Sequence, residues 1–154
     1  EFKSKKANVV FDWTGVNYWG SGRKANEISR ADDDRLIQEL YYSDFVVAGA
    51  SSIVIDASLF DKPTVIFAFD ERKRPYLESI RRYYDYEHFQ PIIKSGGIYL
   101  ASNPEELIRE VESVIKNPGL HAEGRARIRQ EQLYLTDGRS TERLGEAVLS
   151  ALES

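Results

Sequence analysis

Residues 44–69 constrain the fold more than any other stretch of this chain. Two apolar runs, DFVVA at 44–48 and TVIFAF at 64–69, flank the segment GASSIVIDASLFDKP at 49–63. The first run reads as a buried strand. The small residues after it open a helix with Ser51 and Ser52 at its first positions and Asp56 about one turn inside, and Lys62-Pro63 stops it before the second strand. The remaining strands are also short apolar runs alternating with helices, the pattern of a parallel sheet covered on both faces. The expected architecture is one Rossmann-like, three-layer α/β domain over residues 1–154.

The rest of the chain fits around that unit. NVVFD at 8–12 reads as a short strand, followed by a long loop at 13–29 that carries three glycines with Trp13, Tyr18 and Trp19. Connections of that length without a period are usually functional. Ser29 or Asp32 can cap a helix running to about Tyr42, with Leu36, Ile37 and Leu40 on its buried face. Residues 74–84 read as a helix with Pro75 in its first turn, 86–97 as a loop ending in a glycine pair, and 98–101 as a strand. Residues 103–116 form an amphipathic helix capped by Ser102 or Asn103, with Leu107, Val111, Val114 and Ile115 at helical spacing. Asn117-Pro118-Gly119 ends it. A polar helix at 121–134, a turn at Thr136-Asp137-Gly138 and an amphipathic helix at 140–152, within the C-terminal stretch 139–154, complete the chain.

Composition narrows the function. A formal net charge of −4 argues against a nucleic-acid partner. No apolar run approaches the ~20 residues that span a bilayer, and no signal-peptide pattern is present. With no cysteine, disulfide and thiolate chemistry is excluded and a reducing, cytoplasmic setting fits. Two widely separated histidines without cysteine make a poor zinc site, so no metal is expected. The absence of any methionine, even at residue 1, gives the expectation of a piece excised from a longer protein.

In open parallel sheets ligands sit beyond the carboxyl ends of the strands. At that edge lie the loops 13–29, 49–52, 70–74 and 86–97. The start of the helix after Ala48 offers unpaired amides and a positive dipole end, Gly49 and Ala50 allow close approach, and Ser51 and Ser52 add hydroxyls, together a cradle for phosphate. The plainer reading of both serines is helix capping. Asp56 reads as a ribose-hydroxyl acceptor or a solvated acid. Arg72 and Arg74, with Lys73 and Asp70, cluster at a strand end and read as diphosphate ligands or a solvated loop. Trp13, Tyr18 and Trp19 either stack on a base or plug a junction with another domain. His88, between aromatic neighbours, is the one candidate acid or base, against a structural role. His121 reads as surface, Lys62-Pro63 as structural, Arg139-Ser140-Thr141 as a helix start, and Asp32-Asp33-Asp34 as first-turn acids favoured by the dipole.

Asp44, Ser51-Ser52, Asp56, Lys62-Pro63 and Asp70, in that order and spacing, resemble the carboxyl-terminal, nucleotide-binding half of GT-B-fold transferases, in particular CDP-glycerol glycerophosphotransferase-like proteins. Asp137-Gly138 and Glu142-Arg143 are similar to that family's tail. The resemblance covers roughly residues 36–152. It implies a domain binding a CDP- or UDP-linked donor as substrate, with no tightly bound cofactor. The implied setting is cell-surface polysaccharide or teichoic-acid-like polymer synthesis on the cytoplasmic face of the membrane. It also implies that the catalytic base and acceptor site belong to an amino-terminal domain outside this sequence, because the family's His-Pro element is absent here, and that the chain alone is inactive. Related sugar-nucleotide 2-epimerases carry two glycines at the serine positions and a ribose-binding glutamate at that of Asp56, which leaves an epimerase-like domain as an alternative. A receiver-like domain lacks its acidic pair and final lysine, and a non-catalytic interaction module is the last alternative.

Overall fold

The computed structural model describes residue 10 and residues 29–152. The strand expected at 8–12 and the loop expected at 13–29, with Trp13, Tyr18 and Trp19, lie outside the described residues apart from Val10 and Ser29. The chain divides into two units, Glu1–Glu39 and Leu40–Ser154. Helix α1 (Arg30–Tyr42) begins in the first unit. It starts at a reciprocal cap: the Ser29 amide and hydroxyl both donate to Asp32 Oδ2, at 3.0 and 2.8 Å, while the Asp32 amide donates to Ser29 Oγ. These bonds from Ser29 hold the Asp32 carboxyl below the usual carboxylate range. Leu36 and Ile37, expected inside, are exposed, and only Leu40 is buried.

The second unit is an α/β layered fold. Strands β1 (Val46–Ala48), β2 (Thr64–Phe67) and β3 (Ile98–Ala101) form a parallel sheet in the order β1-β2-β3. Val46 pairs with Thr64 and Thr64 with Ile98, so all three strands end at one edge. Helix α2 (Ile53–Leu59) makes the first crossover. The second crossover comprises a 3-10 turn (Tyr76–Glu78), α3 (Arg81–Tyr84) and α4 (Gln90–Lys94). Helices α5 (Pro104–Lys116), α6 (Ala122–Leu133) and α7 (Ser140–Leu152) follow.

Strand alternation sorts the core. Ile66 and Ile98 face Val54 of α2, Ile92 of α4 and Ile128 of α6 in one cluster. Full burial of side chains such as Ile66 and Ile128 stabilises by about 1.5–3 kcal/mol each. Tyr99 points to the opposite face, where its hydroxyl meets Arg109 of α5. Helix α5 keeps the expected cap: Asn103 accepts from the Glu106 amide and Glu106 from the Ser102 amide, both at 2.8 Å.

Two expectations fail for identifiable reasons. Residues 74–84 are not one helix, because Asp70 accepts bonds from Ser79 and from the Ile80 amide. That pulls Ser79 into extended backbone (ψ 144°) and ends the 3-10 turn. The expected loop at 86–97 contains α4, started by Pro91 and buried through Ile92.

Helix α6 docks by arginines. Arg125, 1% exposed, donates to Asp61 and to the Leu120 and Pro118 carbonyls; Arg129 reaches Asp61 and the Ser58 carbonyl; Arg127 donates twice to the Ser95 carbonyl. Gly124 lies directly against Gly96 and Gly97. A Cβ built on it would stand 2.1 Å from the Gly97 amide nitrogen, an approach open only to glycine.

Candidate functional site

The strand ends at Ala48, Phe67 and Ala101 define the carboxyl edge, where three cavities open. The first, about 370 Å³, is lined by Ala50, Ser51, Ser52, Tyr83, His88 and Gln132 among others. The chain turns into it at Gly49, where a Cβ would meet Ile80 Cδ1 at 3.0 Å and the Phe67 ring at 3.4 Å. Glycine therefore lets the turn after β1 lie against those side chains. Helix α2 begins at Ile53, one residue past the serines. Ser51 Oγ accepts from the Ile53 amide at 3.3 Å, a capping role. Ser52 has helical backbone angles and makes no capping bond through its side chain, which leaves its exposed hydroxyl available at the cavity wall.

The far wall is aromatic. Tyr83 and Tyr86 stand edge to face with centroids 5.6 Å apart, and His88 lies 5.8 Å from the Tyr86 ring. Arg82 stacks 4.6 Å from the Tyr83 ring centre while donating to the Tyr83 hydroxyl and the Leu77 carbonyl, which fixes that wall. Tyr84 points inward instead. Its hydroxyl donates to the Phe67 carbonyl at the end of β2, and burial pushes its phenol up to about 12.

A second cavity, about 530 Å³, lies on the other side of α3 and is lined by Arg74, Tyr76, Ser79, Arg81, Tyr84 and Asp85, with Ala68 and Leu100 at the strand ends. A third, about 710 Å³, runs between Phe67, Phe69 and Asp70 and the start of α5.

Ala50, Ser51, Ser52 and His88 thus share one cavity, while Arg74 lines another. Asp56 and Arg72 line neither of these two. Asp56 is half-buried and its carboxyl is raised by burial alone. Asp70 is committed to Ser79 and Ile80, which hold its carboxyl below the ordinary range. Lys62 lies 5.9 Å over the Tyr41 ring. His121 corrects the surface reading: it is half-buried, in the left-handed region (φ 64°), with a buried Nε2 that has no hydrogen-bond partner among the described residues. Arg139 pairs with Glu142, and Arg143 grips both oxygens of Asp137 at 2.9 Å, holding the turn before α7. Sequence reading missed Tyr83, Tyr86, Gln132 and Arg81. The two tyrosines carry an i, i+3 signal, whereas Gln132 reaches the cavity from α6, distant in the chain.

Among the described residues no group of three or more His, Asp or Glu side chains converges in a way that could hold a metal ion, and no helix is long and apolar enough to cross a membrane. A family model described as CDP-glycerol:poly(glycerophosphate) glycerophosphotransferase matches residues 16–150. No curated protein and no solved structure matches the chain.

Proposed function

Since the chain belongs to the CDP-glycerol:poly(glycerophosphate) glycerophosphotransferase family, we propose that it is the donor-binding domain of a transferase acting on a nucleotide-diphosphate-activated donor. The observation that carries this reading is the cavity at the carboxyl edge of the parallel sheet, with Ser51 and Ser52 at one wall and Tyr83, Tyr86 and His88 at the other. A nucleoside diphosphate suits such a wall pair. Hydroxyls and turn amides bond phosphate oxygens, and aromatic faces stack on a base. The domain's task in the reaction is to orient the donor and stabilise charge on the departing nucleotide, while a general base comes from a separate acceptor domain. The domain works as the carboxyl-terminal half of a GT-B fold, in cell-envelope polymer synthesis at the cytoplasmic face of the membrane.

Calorimetric titration with CDP, UDP, GDP and CDP-glycerol tests the reading, repeated on the variant carrying Ser51→Ala and Ser52→Ala. Saturable binding of one nucleotide, weakened at least tenfold in the variant, is expected. A folded protein that binds none of them, or a variant that binds as tightly as the parent, overturns it in favour of an interaction module whose turn after β1 only caps a helix.

A further inference from the structure

The second cavity carries a chemistry of its own. The arginines of Leu40–Ser154 sort into two groups. Arg82, Arg109, Arg125, Arg127, Arg129, Arg139 and Arg143 are each committed to a carbonyl, hydroxyl or carboxylate. The guanidinium groups of Arg72, Arg74 and Arg81 make no ion pair or hydrogen bond among the described residues. Two of these three, Arg74 and Arg81, line the same 530 Å³ cavity.

The acids nearby do not cancel the two cations. Asp85, in the same lining, accepts from the Tyr76 hydroxyl at 2.7 Å. Asp70 feels both arginines, yet its direct bonds go to Ser79 and the Ile80 amide. Two guanidinium groups therefore face one carboxylate on the lining. Ala68 and Leu100, at the ends of β2 and β3, share the lining with the two arginines, so the cavity opens on the sheet edge. Planar forks of this kind grip tetrahedral oxyanions through paired N–H bonds.

We propose that the Arg74–Arg81 cavity binds a phosphate ester, mono- or diester, of a second ligand, separately from the cavity at Ser51 and Ser52. Segment 76–84 is the wall between the two: Tyr76, Ser79, Arg81 and Tyr84 face the phosphate-ester cavity, and Tyr83 faces the serine cavity. The site stands on its own arginines and does not need the nucleotide reading to hold. A polymer built of phosphodiesters has the matching chemistry, as does free glycerol phosphate.

The test is titration of the protein with glycerol phosphate and with a short glycerophosphate oligomer, alone and with CDP or UDP at saturation. Saturable binding is expected in both conditions. It should weaken about tenfold or more in Arg74→Gln and in Arg81→Gln. It should stay unchanged in Arg72→Gln and in the double serine variant. All three arginine positions are exposed and unpaired, so these variants keep the fold. A preference for the oligomer identifies the polymer as the source, and equal affinity identifies the single ester. Loss of glycerol phosphate binding at saturating nucleotide would assign the arginines to the donor's own diphosphate and sink the separate site. Absence of binding, or binding indifferent to Arg74 and Arg81, sinks it equally. Glycerol phosphate binding in a protein that takes up no nucleotide would keep this site and remove the donor reading.

Discussion

Alanine in place of Gly124 sets two physical effects of opposite sign against each other. Glycine within a helix costs about 0.5–1 kcal/mol relative to alanine, so propensity alone predicts a more stable protein. The joint with the glycine turn before β3 predicts the reverse. The added methyl would lie 2.1 Å from the Gly97 nitrogen, 2.2 Å from the Gly96 carbonyl carbon and 2.4 Å from its oxygen, all backbone atoms with no rotamer to yield. Reaching an ordinary 3.4 Å from that nitrogen needs a retreat of 3.4 − 2.1, or 1.3 Å. Such a retreat loosens Ile128 in the core and stretches the Arg127 bonds to the Ser95 carbonyl, now 2.8 and 2.6 Å, past hydrogen-bonding range. Overpacking of this kind costs about 1–3 kcal/mol, and a bond from a charged donor adds about 1.5–3. Less the propensity gain, the net loss is about 1.5–5.5 kcal/mol. In urea, with a slope of about 2 kcal/mol/M, the unfolding midpoint should fall by about 1–3 M. Gly145→Ala is the control, because that glycine lies within α7 with nothing inside 4 Å of the new methyl. Its midpoint should rise slightly, by up to about 0.5 M. An unchanged or raised midpoint in Gly124→Ala would refute the backbone contact.

Three further outcomes follow from single groups. Tyr84→Phe should cost about 1 kcal/mol by leaving the Phe67 carbonyl unpaired. In the parent, the native phenol stays neutral until about pH 12, so stability drains as pH rises from the unfolded value of 10.0 toward it, and the variant should lose that alkaline slope in urea melts. Asp61 is held low chiefly by its bond from Arg125, so its contribution is complete above its unfolded value of 3.8 and disappears as pH falls below that through the folded value. Asp61→Asn should be less stable at neutral pH and show a shallower acid limb; an unaltered limb would rule the pair out as its source. Asp56 has the opposite sign. Burial raises its carboxyl, so stability declines as pH climbs from 3.8 through the raised value, and Asp56→Asn should melt at the same or a higher temperature at pH 7.

Local signals carried much of the fold. The caps at Ser29 and Asn103 were legible because the capping acids Asp32 and Glu106 stand three residues further on, and the sheet was legible because its strands are unbroken apolar runs between helical segments. What escaped were features whose partners are remote in sequence. Helix α6 reads as polar, AEGRARIRQEQL, because nothing local distinguishes the buried Arg125 from a solvated one; its acceptor Asp61 is in the turn that follows α2, 64 residues away. The break before α3 depends on Asp70 reaching ten residues ahead to Ile80. Leu36 and Ile37 have core-facing spacing but no cover among the described residues. At the edge, the serine turn was legible from Gly49 and the stop at Pro63. The separation of Arg74 from Ser51 was not, because it depends on where segment 76–84 runs as a wall.

The Gly97–Gly124 joint also shapes what sequence comparison can reveal about this fold. Where two side chains meet, a change in one can be answered by a change in the other, and the pair leaves a correlated trace among relatives. Here backbone meets backbone, and enlarging either residue drives its Cβ to within 2.6 Å of main-chain atoms that no partner substitution can shorten. Such a joint can only stay the same. Any method that finds contacts from paired changes is blind to it, although it fixes how α6 sits against the turn that leads into β3.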